Sequence, residues 1–389
     1  MTTFAHTMKG KKYLEFLRYC LDDAAALPAS SSRIDWMKMM AWAEEQAVVG
    51  TIYTGIQRAG KQLQIPFDDL MEWIGYAQQI ETQNKLVNKR TAELTEMLQG
   101  DGMDCCILKG QGNAMMYPDP LMRTSGDIDV YVTPMAQAGE GAQATGDRPT
   151  SDFVRRVIGY VRRKNPGAKA VYHHIEYGDF KDVEVEVHYR QTFINNMIRN
   201  RRLQRYLTAG PGAATKQVEL PGGTGRIKVP AWQANVVFQM SHIYHHVIQS
   251  GLGMRQIVDY YYLLRQADGM AASARDGIAK TLQQTGLAEV AGAVMWLLST
   301  LLGMDDRYLI APTDERRGRF LLEEIMTGGN FGQYDSRSGH SGRPLAHNIE
   351  RLRRDIRLMR YFPSECLWEP VFRLWHFFWR IRFGWRTEG

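Results

Sequence analysis

The sequence has little cysteine. Its 389 residues include four, Cys20, Cys105, Cys106 and Cys366. They show no metal-ligand spacing, and a bridge between adjacent Cys105 and Cys106 would be strained, so a reducing cytoplasm is the expected setting. Long apolar runs are also missing. The longest, VAGAVMWLLSTLLGM over 290–304, is shorter than the ~20 residues a membrane span needs and reads as a buried helix. The opening MTTFAHTMKGKKYLEFLRYCLDD carries charges where a signal peptide would need its apolar stretch. Charge of one sign does not dominate: a net +6 permits an anionic partner such as a nucleotide or RNA without requiring one. No internal repeat is evident.

A chain of this length with 44% hydrophobic residues can fill the cores of two or three domains. Residues 1–100 read as a helical region. Leu14, Leu17 and Leu21 recur at helical spacing beside Tyr13, Phe16 and Cys20, and a long helix is expected from about Glu72 to Leu98. The pattern changes over 101–190. MDCCILKG reads as a strand entering a glycine turn, and GDIDVYVTP alternates as a strand and stops at Pro134. Residues 135–151 are small and polar, a surface loop. DFVRRVIGYVRRKN follows as an amphipathic helix, then AVYHHIEYGD and KDVEVEVHYR as a hairpin around Gly178 and Asp179. From 191 to 389 the chain reads as helical, with a glycine-rich loop at 327–344.

Alternate side chains of a strand share a face. Asp127, Asp129 and Tyr131 therefore point one way while Ile128, Val130 and Val132 point the other, and Glu184, Glu186 and His188 oppose Val183, Val185 and Val187. If the two strands are neighbours, three or four carboxylates converge on one side of one sheet. Clustered carboxylates repel, and burial raises their pKa unless a cation compensates. Mg²⁺, which favours a few carboxylates plus water and phosphate oxygens, is the natural compensation. Two such ions ~4 Å apart can activate an attacking hydroxyl and stabilise a leaving oxygen in phosphoryl transfer. Gly110 and Gly112 would let backbone N–H groups approach a phosphate, with a helix N-terminus to follow. A lone D-x-D or K-G-x-G fits a bland strand end or turn equally well; their conjunction with a later E-V-E strand is the specific signal.

The segment LKGQGNAMMYPDPLMRTSGDIDVYV followed by VEVHYR resembles the nucleotidyltransferase superfamily whose core is shared with DNA polymerase beta. More narrowly, it is similar to a bacterial nucleotidyltransferase-like family with the pattern L-K-G, Y-P, R-x-x-G-D-I-D and v-E-l-H-w. MRQIVDYYYLL and GGNFG also look like its helical region. The resemblance implies an α+β fold, a mixed-sheet polymerase beta-like core flanked by helical regions. It implies Asp127 and Asp129 as the metal-binding pair and Glu186, two residues before His188, as the third carboxylate. Glu184 lies nearer the expected hairpin turn. The phosphate turn departs from the superfamily's pattern, with Gln111 where glycine or serine usually follows Gly110. The implied activity is transfer of a nucleoside monophosphate from an NTP, with ATP expected, to an acceptor hydroxyl on a small molecule, a protein or an RNA end. Mg²⁺ would assist, or Mn²⁺ in its place. The alternatives are a nucleotide-binding or regulatory module without turnover and an antitoxin-like or RNA-modifying partner protein.

Several other residues admit two readings. Lys109 and Arg123 flank the turn and could neutralise phosphate charge or form ordinary salt bridges. His242, His245 and His246, at i, i+3, i+4, have metal-ligand spacing but more commonly pack on a helix. His174 could face the cleft, with His173 pointing oppositely. Arg255 and Asp259 can pair one helical turn apart, or Asp259 could serve as general base for the acceptor. The tail 351–386, with four of the nine tryptophans among many arginines, could contact a membrane surface or stack on RNA. Packing on the helical region, with the arginines reaching outward, is the expectation.

Overall fold

In the computed structural model, which describes residues 2–135, 150–268, 272–335 and 344–383, the chain forms two compact units assembled from separated stretches. One comprises Met1–Asn84, Met116–Thr124 and Ile243–Pro363; the other comprises Lys85–Met115, Ser125–His242 and Ser364–Gly389. These groupings cut across the consecutive segments 1–100, 101–190 and 191–389. A small sheet needs an apolar cover, and here residues far apart in the chain supply it.

The second unit is built on four strands, β1 (Met103–Ile107), β2 (Ile128–Pro134), β3 (His174–Phe180) and β4 (Val183–His188), in the spatial order β1-β2-β4-β3. The pairs β1–β2 and β3–β4 are antiparallel and the central pair β2–β4 is parallel, so the sheet is mixed and the fold is α+β. A separate antiparallel pair, β5 (Thr215–Glu219) and β6 (Arg226–Pro230), completes its strands. Val130, Val132, Val185 and Val187 are fully buried, each stabilising the sheet by roughly 1.5–3 kcal/mol. Their cover comes from the helix Ser151–Lys164, through Phe153, Val154, Val157 and Val161, and from Leu94 and Leu98 of the helix Phe67–Gly100.

The hairpin turn is not at Gly178 and Asp179. β3 and β4 pair through to Phe180 and Val183, leaving Lys181 and Asp182 as a two-residue loop, with Lys181 at φ 63°. Gly178, at φ 82°, instead lies where the β3 register shifts between Glu176 and Gly178. Glycine adopts this left-handed conformation at the irregularity without steric cost.

The aromatic tail forms the helix Pro363–Arg382. It packs within the sheet unit, against Tyr172 and Tyr189 and also against Phe193 of the 191–389 segment on which packing was expected. Phe372, Trp379 and Phe383 join the sheet's core, with Trp379 6.2 Å from Tyr172 and 6.3 Å from Tyr189 between ring centroids. The Glu365 carboxylate accepts the backbone N–H groups of Asn195 and Asn196, which fixes the start of the helix. Its opposite face, Leu367, Val371, Leu374, Phe378 and Ile381, is exposed.

The other unit is helical. The apolar run 290–304 forms the helix Ala288–Trp296 and a wider turn at Leu297–Leu301, with Val290, Val294 and Leu298 fully buried. Among the described residues no helix is long and apolar enough to cross a membrane. Of the two expected loops, 136–149 and 336–343 lie outside the described residues. The GGNFG stretch forms a 3-10 turn over Asn330–Gly332.

Within the helical unit, Met116–Thr124 is held by a buried polar network. Arg123 donates from Nε and Nη2 to the two carboxylate oxygens of Asp259, both at 2.8 Å. Tyr117 donates its hydroxyl to Asp259 Oδ1 at 2.6 Å. Asn84 Nδ2 donates to the carbonyls of Leu121 and Arg123 at 2.7 and 2.8 Å. Arg123, assigned to phosphate from the sequence, and Asp259, considered as a general base, are each other's partners in this structure. A buried guanidinium and a buried carboxylate need each other, and the bidentate geometry is their strongest match. Arg255 donates to the Thr124 carbonyl at 3.0 Å, and its charge adds to the field on Asp259.

Two outcomes follow for stability. Trp379→Ala should cost about 3–5 kcal/mol in urea unfolding, whereas Phe378→Ala on the exposed face should change stability by less than about 0.5 kcal/mol. The reverse order would mean that the helix faces are misassigned. Burial pushes the Asp259 pKa up, but Arg123 and Tyr117 outweigh it and hold the pKa below the usual carboxylate range. The resulting stability is present above the unfolded-state value of about 3.9 and is lost as pH falls through the lower folded value. Asp259→Asn should therefore cost about 3–5 kcal/mol at neutral pH and flatten part of the acid limb of the unfolding profile.

Candidate active site

The sheet's polar face is organised by the parallel pairing of β2 with β4. Ile128 lies opposite Val185, Asp129 opposite Glu186, Val130 opposite Val187 and Tyr131 opposite His188. Because both strands alternate, this register sends the valines into the core and brings Asp129 and Glu186 together on the other face. Asp127 immediately precedes β2. Glu184 is exposed and pairs across with Asp179 of β3. The neighbour of Asp129 is thus Glu186.

Two cations sit among these carboxylates. Lys109 Nζ lies 2.9 Å from Asp129 Oδ1. His188 Nε2 lies 2.9 Å from the same oxygen and 3.2 Å from Glu186 Oε2. Burial pushes the Asp129 pKa up, but Lys109 and His188 outweigh it and hold the carboxyl well below its ordinary value. Glu186 is lowered too, burial being outweighed chiefly by the hydrogen bond from His188. Burial pushes His188 down, but bonds to Asp129 and Glu186 carry it up to about 9. Asp127 is raised to about 6, first by the charge of Asp129 and then by burial. At neutral pH, three carboxylates therefore face two cations, an excess of negative charge that suits a further cation.

The imidazoles extend this cluster. His174, the first residue of β3, lies opposite His188, and its Nδ1 is 3.2 Å from Glu186 Oε2. His173, expected to point away, lies one residue ahead of β3 where alternation does not apply, and its Nε2 is 3.0 Å from His174 Nδ1. Burial lowers the His174 pKa to about 4, so its ring is neutral at pH 7. Among the described residues, two groups have ligand atoms within 4.8 Å of one another: Asp129, Glu186 and His188, and His173, His174 and His188. Asp127 is coupled to the first group by charge but is not one of its members. His242, His245 and His246 form no such group. His242 stacks on Phe238, and His246 Nδ1 pairs with Ser250 Oγ at 2.7 Å.

The glycine turn differs from expectation. Gly110 has φ 51°, a backbone that requires glycine, and precedes a helix of only four residues, Gln111–Ala114, too short for an appreciable dipole. Gly112 donates its N–H to the Lys109 carbonyl at 2.9 Å. A Cβ on Gly112 would come within 2.9 Å of Val229 on β6, so close packing by itself calls for glycine here. Gln111 is buried, and its amide donates to Asn88 Oδ1. Arg123 belongs to the helical unit. Of the residues assigned to the turn, Lys109 is the one that reaches the carboxylates. The main omission from the sequence reading was His188 as a charge partner, although strand alternation already placed it beside Glu186.

No curated protein matches this chain. Among solved structures, the chain is similar to an antigenic nucleotidyltransferase-like protein from Paracoccidioides brasiliensis, with 13% identity and a TM-score of 0.29 over 59% of this chain and 95% of that one. Residues 32–303 match the model of a family described as uncharacterised nucleotidyltransferases. That match spans most of the sequence and includes the carboxylates, the glycine turn and the Asp259 helix, and the chain belongs to this uncharacterised nucleotidyltransferase family.

Proposed function

We propose that the carboxylate face of β2 and β4 is the active site of a Mg²⁺-dependent nucleotidyltransferase with a polymerase beta-like core. It would transfer a nucleoside monophosphate from an NTP, ATP being the expected donor, to an acceptor hydroxyl. The observation that carries this reading is the parallel register that seats Glu186 beside Asp129, with Asp127 two residues upstream. The donor set fits the ion: carboxylate oxygens in a site with excess negative charge are what Mg²⁺ takes. Asp127 and Asp129 would hold the metal with the triphosphate, and Glu186 would complete the site near the attacking hydroxyl. When bound, the metal would supply charge neutralisation for the phosphates and activation of that hydroxyl. Lys109 keeps Asp129 ionised and brings a positive charge toward incoming phosphate, while His188 fixes the orientations of Asp129 and Glu186. Four buried free thiols support a reducing, cytoplasmic setting.

A nucleotide-binding or regulatory module without turnover is the second reading. It is favoured by Lys109 and His188 both occupying Asp129 Oδ1, and by the short helix after Gly110. The acceptor under the first reading is a small molecule, a protein side chain or an RNA end, the last also suiting an antitoxin-like or RNA-modifying role. Incubation with each α-labelled NTP, Mg²⁺ and host lysate distinguishes the readings. Transfer releases pyrophosphate and labels an acceptor; binding alone does neither.

Two variant sets test the site. Glu186→Gln should lower pyrophosphate release at least a hundredfold with NTP affinity largely kept, while exposed Glu184→Gln should be mild. Equal effects of the two would remove the basis for choosing Glu186. Asp127→Asn and Asp129→Asn should each weaken Mg²⁺-dependent NTP binding in calorimetry, and unchanged affinity and turnover in both would end the catalytic reading.

A further inference from the structure

The histidines beside the carboxylates suit a different ion. The chain of contacts runs from His173 Nε2 to His174 Nδ1 at 3.0 Å, then to Glu186 Oε2 at 3.2 Å, then to His188 Nε2 at 3.2 Å. Ligand atoms on a tetrahedral ion with bonds of about 2.0–2.1 Å stand about 3.3 Å apart. The ligand atoms of the three imidazoles lie within 4.8 Å of one another, and ring centroids are 4.3, 5.1 and 5.4 Å apart. Three imidazoles therefore cluster closely enough to share an ion, with one carboxylate oxygen 3.2 Å from two of them. Imidazole nitrogen is a preferred donor for zinc and neighbouring transition ions and a poor one for Mg²⁺, which takes oxygen.

We propose that His173, His174 and His188, with Glu186 as fourth ligand, form a binding site for a divalent transition ion of the Zn²⁺ class, distinct in ligand chemistry from the Asp127–Asp129 side of the cluster. The elements that supply the ligands explain their convergence. His174 and His188 face one another across β3 and β4, and His173 enters from the irregular residues ahead of β3. Occupancy would displace the His188 proton to solvent, and would withdraw Glu186 from any shared magnesium site and His188 from Asp129. The ion would thus compete with nucleotidyl transfer, a consequence that rests on the role proposed for Glu186; the binding itself does not.

Co²⁺ reports the geometry directly. Added to the full-length, chelator-stripped protein, it should bind one-to-one and give the intense visible absorption of a four-coordinate site. Zn²⁺ should abolish that absorption, and a large excess of Mg²⁺ should not. His173→Gln and His174→Gln should each weaken Zn²⁺ binding in calorimetry at least tenfold, with the circular dichroism of the metal-free protein unchanged. If either variant fails to fold, zinc-edge anomalous diffraction from wild-type crystals should place the ion within ~2.1 Å of all three imidazoles. Weak six-coordinate absorption, displacement by Mg²⁺, or unchanged Zn²⁺ affinity in both folded variants would overturn the site. In an active preparation Zn²⁺ should also suppress pyrophosphate release. Bound zinc with undiminished release would overturn the competition, whereas four-coordinate cobalt in a preparation without turnover would uphold the site and count against the transfer reading alone.

Discussion

Asp129 is nearly inaccessible, and its carboxylate is ionised only because Lys109 and His188 meet it at 2.9 Å. A buried carboxylate left without such partners would take up a proton or force the sheet apart. Much of the local architecture meets this requirement. Gly110 turns the chain after Lys109 at a positive φ, and His188 ends a strand whose preceding valines anchor it in the core. The parallel β2–β4 pairing then brings Glu186 to share His188 with Asp129. Compensation is incomplete, since Asp127 adds a third negative charge. That residue of charge leaves the face net negative, although ion pairs hold two of its three carboxylates.

The helical unit solves a similar problem in a closed way. Asp259 is as buried as Asp129, but a bidentate guanidinium and a tyrosine hydroxyl satisfy both of its oxygens. That arrangement carries no excess of negative charge, and it holds the Met116–Thr124 segment in place. Two buried aspartates in one sequence, each near a basic residue, thus have different consequences. The difference lies in the number of negative charges around each.

The tail shows how composition can mislead about surfaces. A segment rich in tryptophan and arginine invites a membrane or nucleic-acid reading, yet Phe372, Trp379 and Phe383 belong to the core beneath the sheet. The buried set and the exposed set, Leu367 to Ile381, alternate along one helix. Which apolar stripe is covered depends on what the other elements present, and no local property of the tail encodes that.

Strand alternation, read from the sequence, assigned the faces of Asp129, Glu186 and His188 and the inward valines. That inference succeeds because a strand's period is two and one face must be dry. The helix Ser151–Lys164 was legible for the corresponding reason, an apolar stripe at helical spacing, and the long helix Phe67–Gly100 from a stretch without glycine between Gly75 and Leu98. Other features had no local signature. The bulge at Gly178, the crowding of Gly112 by Val229 and the approach of His173 all depend on neighbours distant in sequence or on backbone geometry outside a regular element. Arg123 is the sharpest case. Its position beside the glycine turn suggested a phosphate, and nothing local announced the carboxylate it meets 136 residues away on the helix Met254–Arg265. Periodicity determines which way a side chain faces; only the packing of the whole chain decides what it meets there.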